Sequence, residues 1–268
     1  MHQHLTVATL AAREAGRVIM THYGNNEHTL KTDASPVTAA DNAAHDALIT
    51  HLSATGIAIL SEEDVTVAQP YPTAMWIIDP LDGTKDFIAG TKDFAVMIAL
   101  LENGAPTLGV IYAPAHGILY YASRGSGAYM LHDGETEPTQ LHVSDRRIPN
   151  LHQLASVHHR SSFTDLIATR LQVAEIKPRG GAGIKAALIA DQTGDFFMML
   201  ARVGEWDVCA PHILLEEAGG TVTDAHGNPL TYTSEDNRIN HGVVFSNGPD
   251  HGAIIDTVQT LIAEGAHI

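Results

Sequence analysis

The interpretation of this chain starts from Trp76-Ile77-Ile78-Asp79-Pro80-Leu81-Asp82-Gly83-Thr84-Lys85-Asp86-Phe87. The apolar residues that open this stretch predict a buried strand. We expect the strand to end at Asp79-Pro80, because proline has no N–H group for a sheet ladder. Two carboxylates follow at a spacing of three, and Gly83-Thr84 is a predicted helix start. Carboxylates between a strand end and a helix N-terminus suit a divalent cation beside a phosphate, although an ordinary Asp-rich turn has the same local pattern.

The composition predicts a soluble globular protein and limits its partners. The 268 residues are 44% hydrophobic and 17% charged, which is ordinary for a globular chain with a sizeable core. The formal net charge of −16 argues against a nucleic-acid partner and against binding to anionic membranes, both of which need a basic surface. A small-molecule phosphate substrate is compatible with this charge, because bound cations or a few local lysines and arginines can admit it.

The single cysteine and the N-terminal sequence predict the compartment. Cys209 alone allows neither a disulfide within the chain nor a thiolate cluster around zinc, which fits a reducing cytosol. The seventeen histidines show no metal-ligand spacing. The N-terminal sequence lacks the pattern of a secretory signal, and the longest apolar run, residues 94–101, is too short to cross a bilayer. We therefore expect a cytoplasmic protein without stable membrane insertion.

Apolar periodicity predicts two helices, then a strand meander, then alternating strands and helices. The first helix is predicted over residues 5–20. The second is predicted from the apolar pattern of residues 41–52, with Thr38 as its cap and Asp41 at the third helical position, so local capping explains Asp41 as well as a site role does. Asn103-Gly104 predicts a hairpin turn. The predicted strands are residues 56–60, 94–101, 107–112, 117–122, 127–130, 151–157, 195–200, 221–223 and 243–245, and further helices are predicted to end at residues 171, 190, 217 and 263.

Three acidic positions form a candidate metal site. Glu62 or Glu63 follows the first short strand, the Asp79/Asp82 pair follows the second, and Asp207 lies at a predicted helix start, where an N-cap role is an equal explanation. Ligands that offer only oxygen favour Mg²⁺ over Mn²⁺ or Ca²⁺. Converging carboxylates repel one another unless cations compensate, and two cations roughly 3.5–4 Å apart suit a phosphoryl displacement. The glycine-rich loop at residues 180–185 is a weaker candidate anion site.

These motifs resemble the inositol monophosphatase superfamily of lithium-sensitive, Mg²⁺-dependent sugar- and nucleotide-phosphate phosphatases. The resemblance rests on Ser61-Glu62-Glu63-Asp64, on Asp79-Pro80-Leu81-Asp82-Gly83-Thr84, and on Trp206-Asp207 followed by Ala218-Gly219-Gly220. It implies a mixed α/β (α+β) fold, the layered αβαβα sandwich of the sugar phosphatases. It also implies an α+β half at residues 1–145 and an α/β half at residues 146–268, which form one compact catalytic unit with the site between them.

Within that superfamily the chain is most similar to the 3′(2′),5′-bisphosphate nucleotidases of sulfur metabolism. Those enzymes remove the 3′-phosphate from 3′-phosphoadenosine 5′-phosphate. Two other functions stay open: an inositol-1-phosphatase or broad sugar-phosphate phosphatase, and a non-catalytic metal or nucleotide sensor. The similarity is carried by Ser35-Pro36-Val37-Thr38-Ala39-Ala40-Asp41, Lys85-Asp86-Phe87, Gly181-Ala182-Gly183-Ile184-Lys185 and Trp206-Asp207-Val208-Cys209-Ala210-Pro211.

The resemblance also implies roles for individual residues. Catalysis would depend on Asp41, Thr84 and Glu62, with the Thr84 hydroxyl hydrogen-bonded to Asp41 and orienting the attacking water. The ligands of two or three Mg²⁺ ions would be Glu62, Asp79, the carbonyl of Leu81, Asp82 and Asp207.

Predicted substrate contacts come from both halves of the chain. The backbone N–H groups of Gly83 and Thr84 would bind the phosphate, and Asp207 would lie beside the leaving oxygen. Arg202 is the candidate contact to the retained 5′-phosphate. Since relatives occur as monomers and as dimers, we expect a monomer or a homodimer. The positions that match nucleotide contacts of relatives are Ser156, His159 and Lys185.

Overall fold

The computed structural model describes residues 2–24, 27–31, 36–66, 71–158, 161–232, 234 and 236–266. Within these ranges the chain forms seven α-helices, sixteen strands and a short 3-10 helix at Ser53–Thr55. The helices are α1 (His2–His22), α2 (Ala39–Leu52), α3 (Thr84–Ile88), α4 (Ser162–Leu171), α5 (Ala182–Ala190), α6 (Glu205–Glu217) and α7 (His251–Ala263). The strands are β1 (His28–Leu30), β2 (Pro36–Thr38), β3 (Ala58–Ser61), β4 (Ala74–Asp82), β5 (Ala95–Glu102), β6 (Ala105–Ala113), β7 (Ile118–Ser123), β8 (Gly127–His132), β9 (Thr139–Leu141), β10 (His152–Ser156), β11 (Glu175–Arg179), β12 (Phe196–Met199), β13 (Val203–Gly204), β14 (Thr221–Asp224), β15 (Arg238–Ile239) and β16 (Val243–Ser246).

The larger sheet has seven strands in the order β3-β4-β5-β6-β7-β8-β9. Apart from the parallel pair β3/β4, its neighbours are antiparallel, so β4 to β9 form the predicted meander. Asn103 and Gly104 adopt positive φ angles of 52° and 77° in the turn between β5 and β6, which confirms the hairpin prediction.

The alternating side chains of β4 show which helices cover each face of this sheet. Trp76 and Ile78 pack with the alanine-rich faces of α1 and α2. Met75 and Ile77 point the other way, into a core shared with α5 and α6. Because successive side chains of a strand point to opposite faces, a strand that is apolar at every position must be covered on both sides.

The second sheet has five strands in the order β11-β10-β12-β16-β14. Phe197 faces the core that contains α5 and α6, and its neighbour Phe196 faces a third core with Phe163 of α4 and Ile254 of α7. The layers are therefore α1/α2, the seven-stranded sheet, α5/α6, the five-stranded sheet and α4/α7. This arrangement confirms the predicted αβαβα sandwich.

Three local predictions are corrected by the structure. Strand β4 does not end at Asp79-Pro80 but runs to Asp82, because one extra residue is accommodated where the pairing with β5 shifts between Asp79 and Asp82. Proline is tolerated at such a bulge since no ladder partner is lost. Helix α6 starts at Glu205, so Pro211 lies in its second turn rather than its first. Helix α5 already starts at Ala182, inside the predicted glycine-rich loop.

The division into halves at residue 145 stays a proposal. The last strand of the larger sheet, β9, ends at Leu141, and the first strand of the smaller sheet, β10, begins at His152. One core cluster nevertheless contains side chains from both sheets, which fits a single compact unit. None of the helices in the described ranges combines the length and the apolar character that crossing a membrane requires.

Candidate active site

Three carboxylates converge where β4 ends and α6 begins. Asp79, Asp82 and Asp207 each offer an oxygen, and these oxygens lie within 4.8 Å of one another. Asp79 is 1% exposed and Asp82 is 7% exposed. Helix α6 packs against β4 and β5, and this packing brings Asp207, in the first turn of α6, next to residues more than a hundred positions earlier in the chain. Two of the three predicted acidic positions therefore meet in one cluster.

Backbone N–H groups orient each carboxylate of this cluster. The Leu81 N–H donates to Asp79 Oδ1 over 3.0 Å, inside the bulge of β4. The two oxygens of Asp82 accept from Ala182 N–H and Gly183 N–H, at 2.9 and 2.8 Å, in the first turn of α5. Asp207 lies at the third helical position of α6, where Oδ2 accepts from Gly204 N–H over 2.8 Å. Asp207 is therefore not the N-cap that the sequence offered as an alternative, because Gly204 holds that position; from the third helical position Asp207 contacts the cap residue and also belongs to the cluster.

The electrostatics of this cluster call for a cation. Burial and then the charge of Glu62 raise the pKa of Asp79 well above its ordinary value, and Asp82 and Asp207 raise it further. Burial raises the pKa of Asp207 to about 7, with Glu62 and Asp82 adding to the shift. Burial also raises the pKa of Asp82, against the opposing charge of Lys185. Buried oxygen ligands whose charges repel one another fit a hard divalent cation.

Glu62 lies beside the cluster but is held by a lysine. Its backbone N–H donates to the Ile78 carbonyl over 3.1 Å, which fixes it next to β4. Lys31 Nζ lies 2.9 Å from the Glu62 carboxylate and 2.7 Å from that of Glu63. Burial acts to lower the pKa of Lys31, but the carboxylates of Glu62 and Glu63 raise it overall. Lys31 was not predicted from the sequence, and its only signal there is that lysines and arginines are scarce in this chain.

Thr84 and Asp41 form the predicted hydrogen bond. The Thr84 hydroxyl lies 3.1 Å from Asp41 Oδ1 and 3.1 Å from the Leu81 carbonyl oxygen. The other oxygen of Asp41 accepts from the Thr38 N–H over 2.7 Å and from the Thr38 hydroxyl over 2.6 Å. Asp41 therefore completes the capping box of α2 and contacts Thr84 at once. The catalytic role of the pair stays a prediction.

Gly83, the predicted phosphate contact before Thr84, needs to be glycine. Its φ angle is +84°, in the left-handed region that side chains rarely adopt. A Cβ atom there would lie 2.8 Å from the Asp93 carbonyl oxygen. This conformation lets α3 start directly after the two carboxylates of β4.

The residues that were predicted to contact the nucleotide differ in their burial and in their contacts. Ser156 is half-buried at the end of β10. Lys185 is 6% exposed, and its Nζ donates to the carbonyl oxygens of Gly181 and Gly180 at 2.6 and 3.1 Å. His159 lies outside the described residues.

Arg202 does not lie against the three carboxylates. Its guanidinium is exposed, forms an ion pair with Asp236, and donates through Nε to Asn240 Oδ1 over 2.9 Å. The prediction that this residue meets the retained phosphate is therefore not supported by its contacts.

Asp86 and His158 are two further residues near the site whose contacts sequence reasoning missed. Asp86 is buried, its Oδ1 lies 3.4 Å from His158 Nε2, and it packs against Gly180. Asp93 also holds this turn, because its Oδ2 accepts from the Gly180 N–H over 3.0 Å. The only sequence signal was the position of Lys85-Asp86-Phe87 directly after the metal motif.

Comparison with known proteins identifies the family of this chain. The family model described as "Inositol monophosphatase family" matches residues 1–263. The chain is 36% identical over 243 residues to the 3′(2′),5′-bisphosphate nucleotidase CysQ of Aggregatibacter actinomycetemcomitans, covering 87% of this chain and 89% of that protein.

Solved structures give the same result for the fold. An IMPase from Thermotoga maritima superposes with a TM-score of 0.84 at 29% identity, covering 98% of this chain and 99% of that one. CysQ from Bacteroides thetaiotaomicron, whose structure is described as that of a bacterial member of the inositol monophosphatase family, superposes with a TM-score of 0.78 at 32% identity, covering 91% of this chain and 97% of that one. This chain therefore belongs to the inositol monophosphatase family.

Proposed function

We propose that this protein is a Mg²⁺-dependent phosphoric monoester hydrolase that converts 3′-phosphoadenosine 5′-phosphate to AMP and phosphate. The observation that carries the proposal is the convergence of two buried carboxylates and one half-buried carboxylate, with an adjacent Thr84–Asp41 hydrogen bond. That arrangement combines a cation site with a polar group able to orient water, which are the parts that hydrolysis of a phosphate ester needs.

Five residues fit the role of metal ligands. The donors are all oxygens, and the excess negative charge of the cluster favours Mg²⁺ over softer metals. Bound there, Mg²⁺ would supply Lewis-acid activation of the phosphate ester and of water. The residues that would hold two or three ions are Asp79, Asp82, Asp207, Glu62 and the carbonyl of Leu81.

The chain itself positions the water and the ester. The single proton of the Thr84 hydroxyl is shared between Asp41 and the Leu81 carbonyl, so the hydroxyl oxygen keeps lone pairs that can accept from a water. Burial raises the pKa of Asp41, while hydrogen bonds from Thr38 oppose that shift. Backbone N–H groups at Gly83 and Thr84 are candidate donors to the phosphate.

The substrate follows from the relatives and from one local feature. The CysQ relative is named as a 3′(2′),5′-bisphosphate nucleotidase, and the similarity extends over most of both chains. The local feature is Lys85-Asp86-Phe87, whose buried Asp86 packs against the turn that orients Asp82. We further infer a cytoplasmic protein that is a monomer or a homodimer, which sedimentation analysis of the purified chain would test.

A substrate panel tests the proposal directly. Rates of phosphate release would be compared for 3′-phosphoadenosine 5′-phosphate, inositol 1-phosphate and fructose 1,6-bisphosphate, with Mg²⁺ and then with a chelator. We expect the highest kcat/KM for the nucleotide and no turnover without metal. A kcat/KM for inositol 1-phosphate that exceeds the nucleotide value by about tenfold would refute the substrate assignment and leave the phosphatase chemistry intact.

The main alternative is an inositol-1-phosphatase or a broad sugar-phosphate phosphatase. The observation that favours it is the high TM-score with the Thermotoga maritima IMPase, since one scaffold can serve several substrates. A non-catalytic sensor is a further alternative. It predicts that Asp82→Asn, which removes a cluster carboxylate, changes ligand binding without any turnover to lose.

A further inference from the structure

Arg238 has a guanidinium without a hydrogen-bond acceptor in the part of the chain that the structure describes. It is half-buried, and its Cζ lies 4.6 Å from the centroid of the Trp206 ring. Its positive charge acts on the Asp207 carboxylate, one residue beyond Trp206. Arginines that are not at the surface normally pair with acids or carbonyls, so an unpaired one beside an active site indicates a missing anionic partner.

The backbone of Arg238 is fixed relative to the metal cluster. Strand β15 pairs with β13 so that Arg238 lies opposite Gly204, the residue before α6. The Arg238 N–H donates to the Ser234 hydroxyl over 2.8 Å, and the Ser234 N–H donates to Glu205 Oε1 over 2.9 Å. The turn that carries Arg238 is thus attached to the first turn of α6, which also carries Asp207.

Trp206 forms the platform on which the guanidinium lies. A Cβ atom on Gly204 would be 2.3 Å from the Trp206 ring, so only glycine lets the indole pack this closely over the backbone. The guanidinium carbon lies over the indole ring, and the guanidinium N–H groups have no hydrogen-bond acceptor among the described residues. This geometry is suited to a phosphate, because stacked arginines keep their planar donor edge for two parallel hydrogen bonds.

We propose that Arg238 binds the phosphate that the substrate retains, the 5′-phosphate of 3′-phosphoadenosine 5′-phosphate. This assignment rests on the proposed function and places the scissile phosphate at Asp79, Asp82 and Asp207. It replaces the sequence prediction for Arg202, whose guanidinium forms an ion pair with Asp236 in the turn that carries Arg238. Arg202 then stabilises the turn, and Arg238 selects substrates with a second phosphate.

The test compares substrates with and without that second phosphate. In Arg238→Gln we expect kcat/KM for 3′-phosphoadenosine 5′-phosphate to fall by about 10- to 100-fold, and kcat/KM for adenosine 3′-phosphate to stay within about twofold. Arg238→Lys keeps the charge but loses the planar edge, so it should show an intermediate loss. Calorimetric binding of AMP, which has only the retained phosphate, should weaken by a similar factor and needs no turnover.

Two control variants complete the design. Arg170→Gln removes a surface charge that pairs with Glu264, and we expect it to leave the ratio of the two kcat/KM values unchanged. Arg202→Gln tests the rival assignment. The proposal would be overturned if Arg238→Gln lowered kcat/KM equally for both substrates. It would also be overturned if Arg202→Gln lowered the ratio of the bisphosphate kcat/KM to the adenosine 3′-phosphate kcat/KM while Arg238→Gln left that ratio unchanged. If the unaltered enzyme does not hydrolyse the bisphosphate at all, the proposed function fails, whatever the variants do.

Discussion

Lys185 provides the sharpest test of how the acidic cluster is held. Its ammonium group donates to two backbone carbonyls of the turn at residues 180–181, and that turn leads into the N–H groups that orient Asp82. Its charge also faces Asp82, Asp86, Asp93 and Asp207. Lys185→Met keeps most of the side-chain volume but removes the ammonium donor from both carbonyls. The half-buried Gly181 carbonyl still accepts from the Lys185 backbone N–H over 3.4 Å, so the buried Gly180 carbonyl is the one most affected. We therefore expect Lys185 to act on the metal ligands rather than on the nucleotide.

The size of the effect follows from these contacts. An unsatisfied buried polar group costs about 1–3 kcal/mol, so loss of the ammonium donor at the Gly180 carbonyl should lower the free energy of unfolding by about 1–3 kcal/mol. For a chain of this length, that corresponds to a fall in Tm of about 2–12 °C in the presence of a chelator. Saturating Mg²⁺ should recover part of the deficit, because bound cations replace the positive charge that the variant has lost, whereas the missing hydrogen bonds stay missing.

Thermal unfolding with chelator and with Mg²⁺ measures both parts. Lys177→Met is the matched control, since Lys177 also donates to a backbone carbonyl, that of Thr193 at 2.7 Å, but on strand β11. Its deficit should be the same with and without Mg²⁺. The reasoning is wrong if Lys185→Met loses no stability in chelator, or if its deficit does not shrink when Mg²⁺ is added. If Lys185→Met instead kept a normal metal dependence and had a raised KM for the nucleotide, the prediction that Lys185 contacts the substrate would be supported.

Three further predictions concern titration and the Thr84–Asp41 pair. The folded-state pKa values of Asp79 and Asp207 lie above the ordinary 3.8, that of Asp207 at about 7, so the folded state holds protons that the unfolded state releases. The Tm of the metal-free protein should therefore fall as pH rises from about 5 to 8, and Mg²⁺ should reduce this dependence of Tm on pH. Burial lowers the pKa of His251 below the ordinary 6.5, so the unfolded state takes up its proton first and stability should fall as pH drops through 6.5, with a smaller slope in His251→Gln. Thr84→Val should lower kcat by at least about 100-fold while Thr84→Ser retains most of it, because only serine keeps the hydroxyl that donates to Asp41; equal kcat values for the two variants would contradict the role of the pair.

Individual turns and buried strands could be predicted because their signals are local, whereas the layered αβαβα arrangement was implied by the resemblance to the inositol monophosphatase superfamily. Asn103-Gly104 specifies a tight turn, and apolar side chains at successive positions of β4 require cover on both faces of a sheet. The bulge between Asp79 and Asp82 could not be predicted in the same way, since its register depends on the pairing with β5. Strand β11 was missed because Pro178 and three charged residues dominate its sequence, and only the parallel pairing with β10 makes it a strand.

The same distinction between local and long-range signals applies to the candidate site. The Thr38–Asp41 capping box and the carboxylate spacing of Asp79 and Asp82 are readable from neighbouring residues. The ion pair of Lys31 with Glu62 joins residues that no local pattern relates. The position of Arg238 beside the first turn of α6 likewise depends on a β-pairing between β13 and β15, of two residues each, that has no sequence signature.

The origin of the three carboxylates links metal binding to the packing of the two proposed halves, residues 1–145 and 146–268. Asp82 belongs to the first half, yet both of its oxygens are held by N–H groups of α5 in the second half. Asp207 belongs to the second half, yet it completes the cluster only by lying against Asp79 of the first. Without the other half, each set of ligands would lose either its orientation or a member. A cation that binds all three carboxylates must therefore stabilise the contact between the halves by the same free energy that the contact contributes to its affinity.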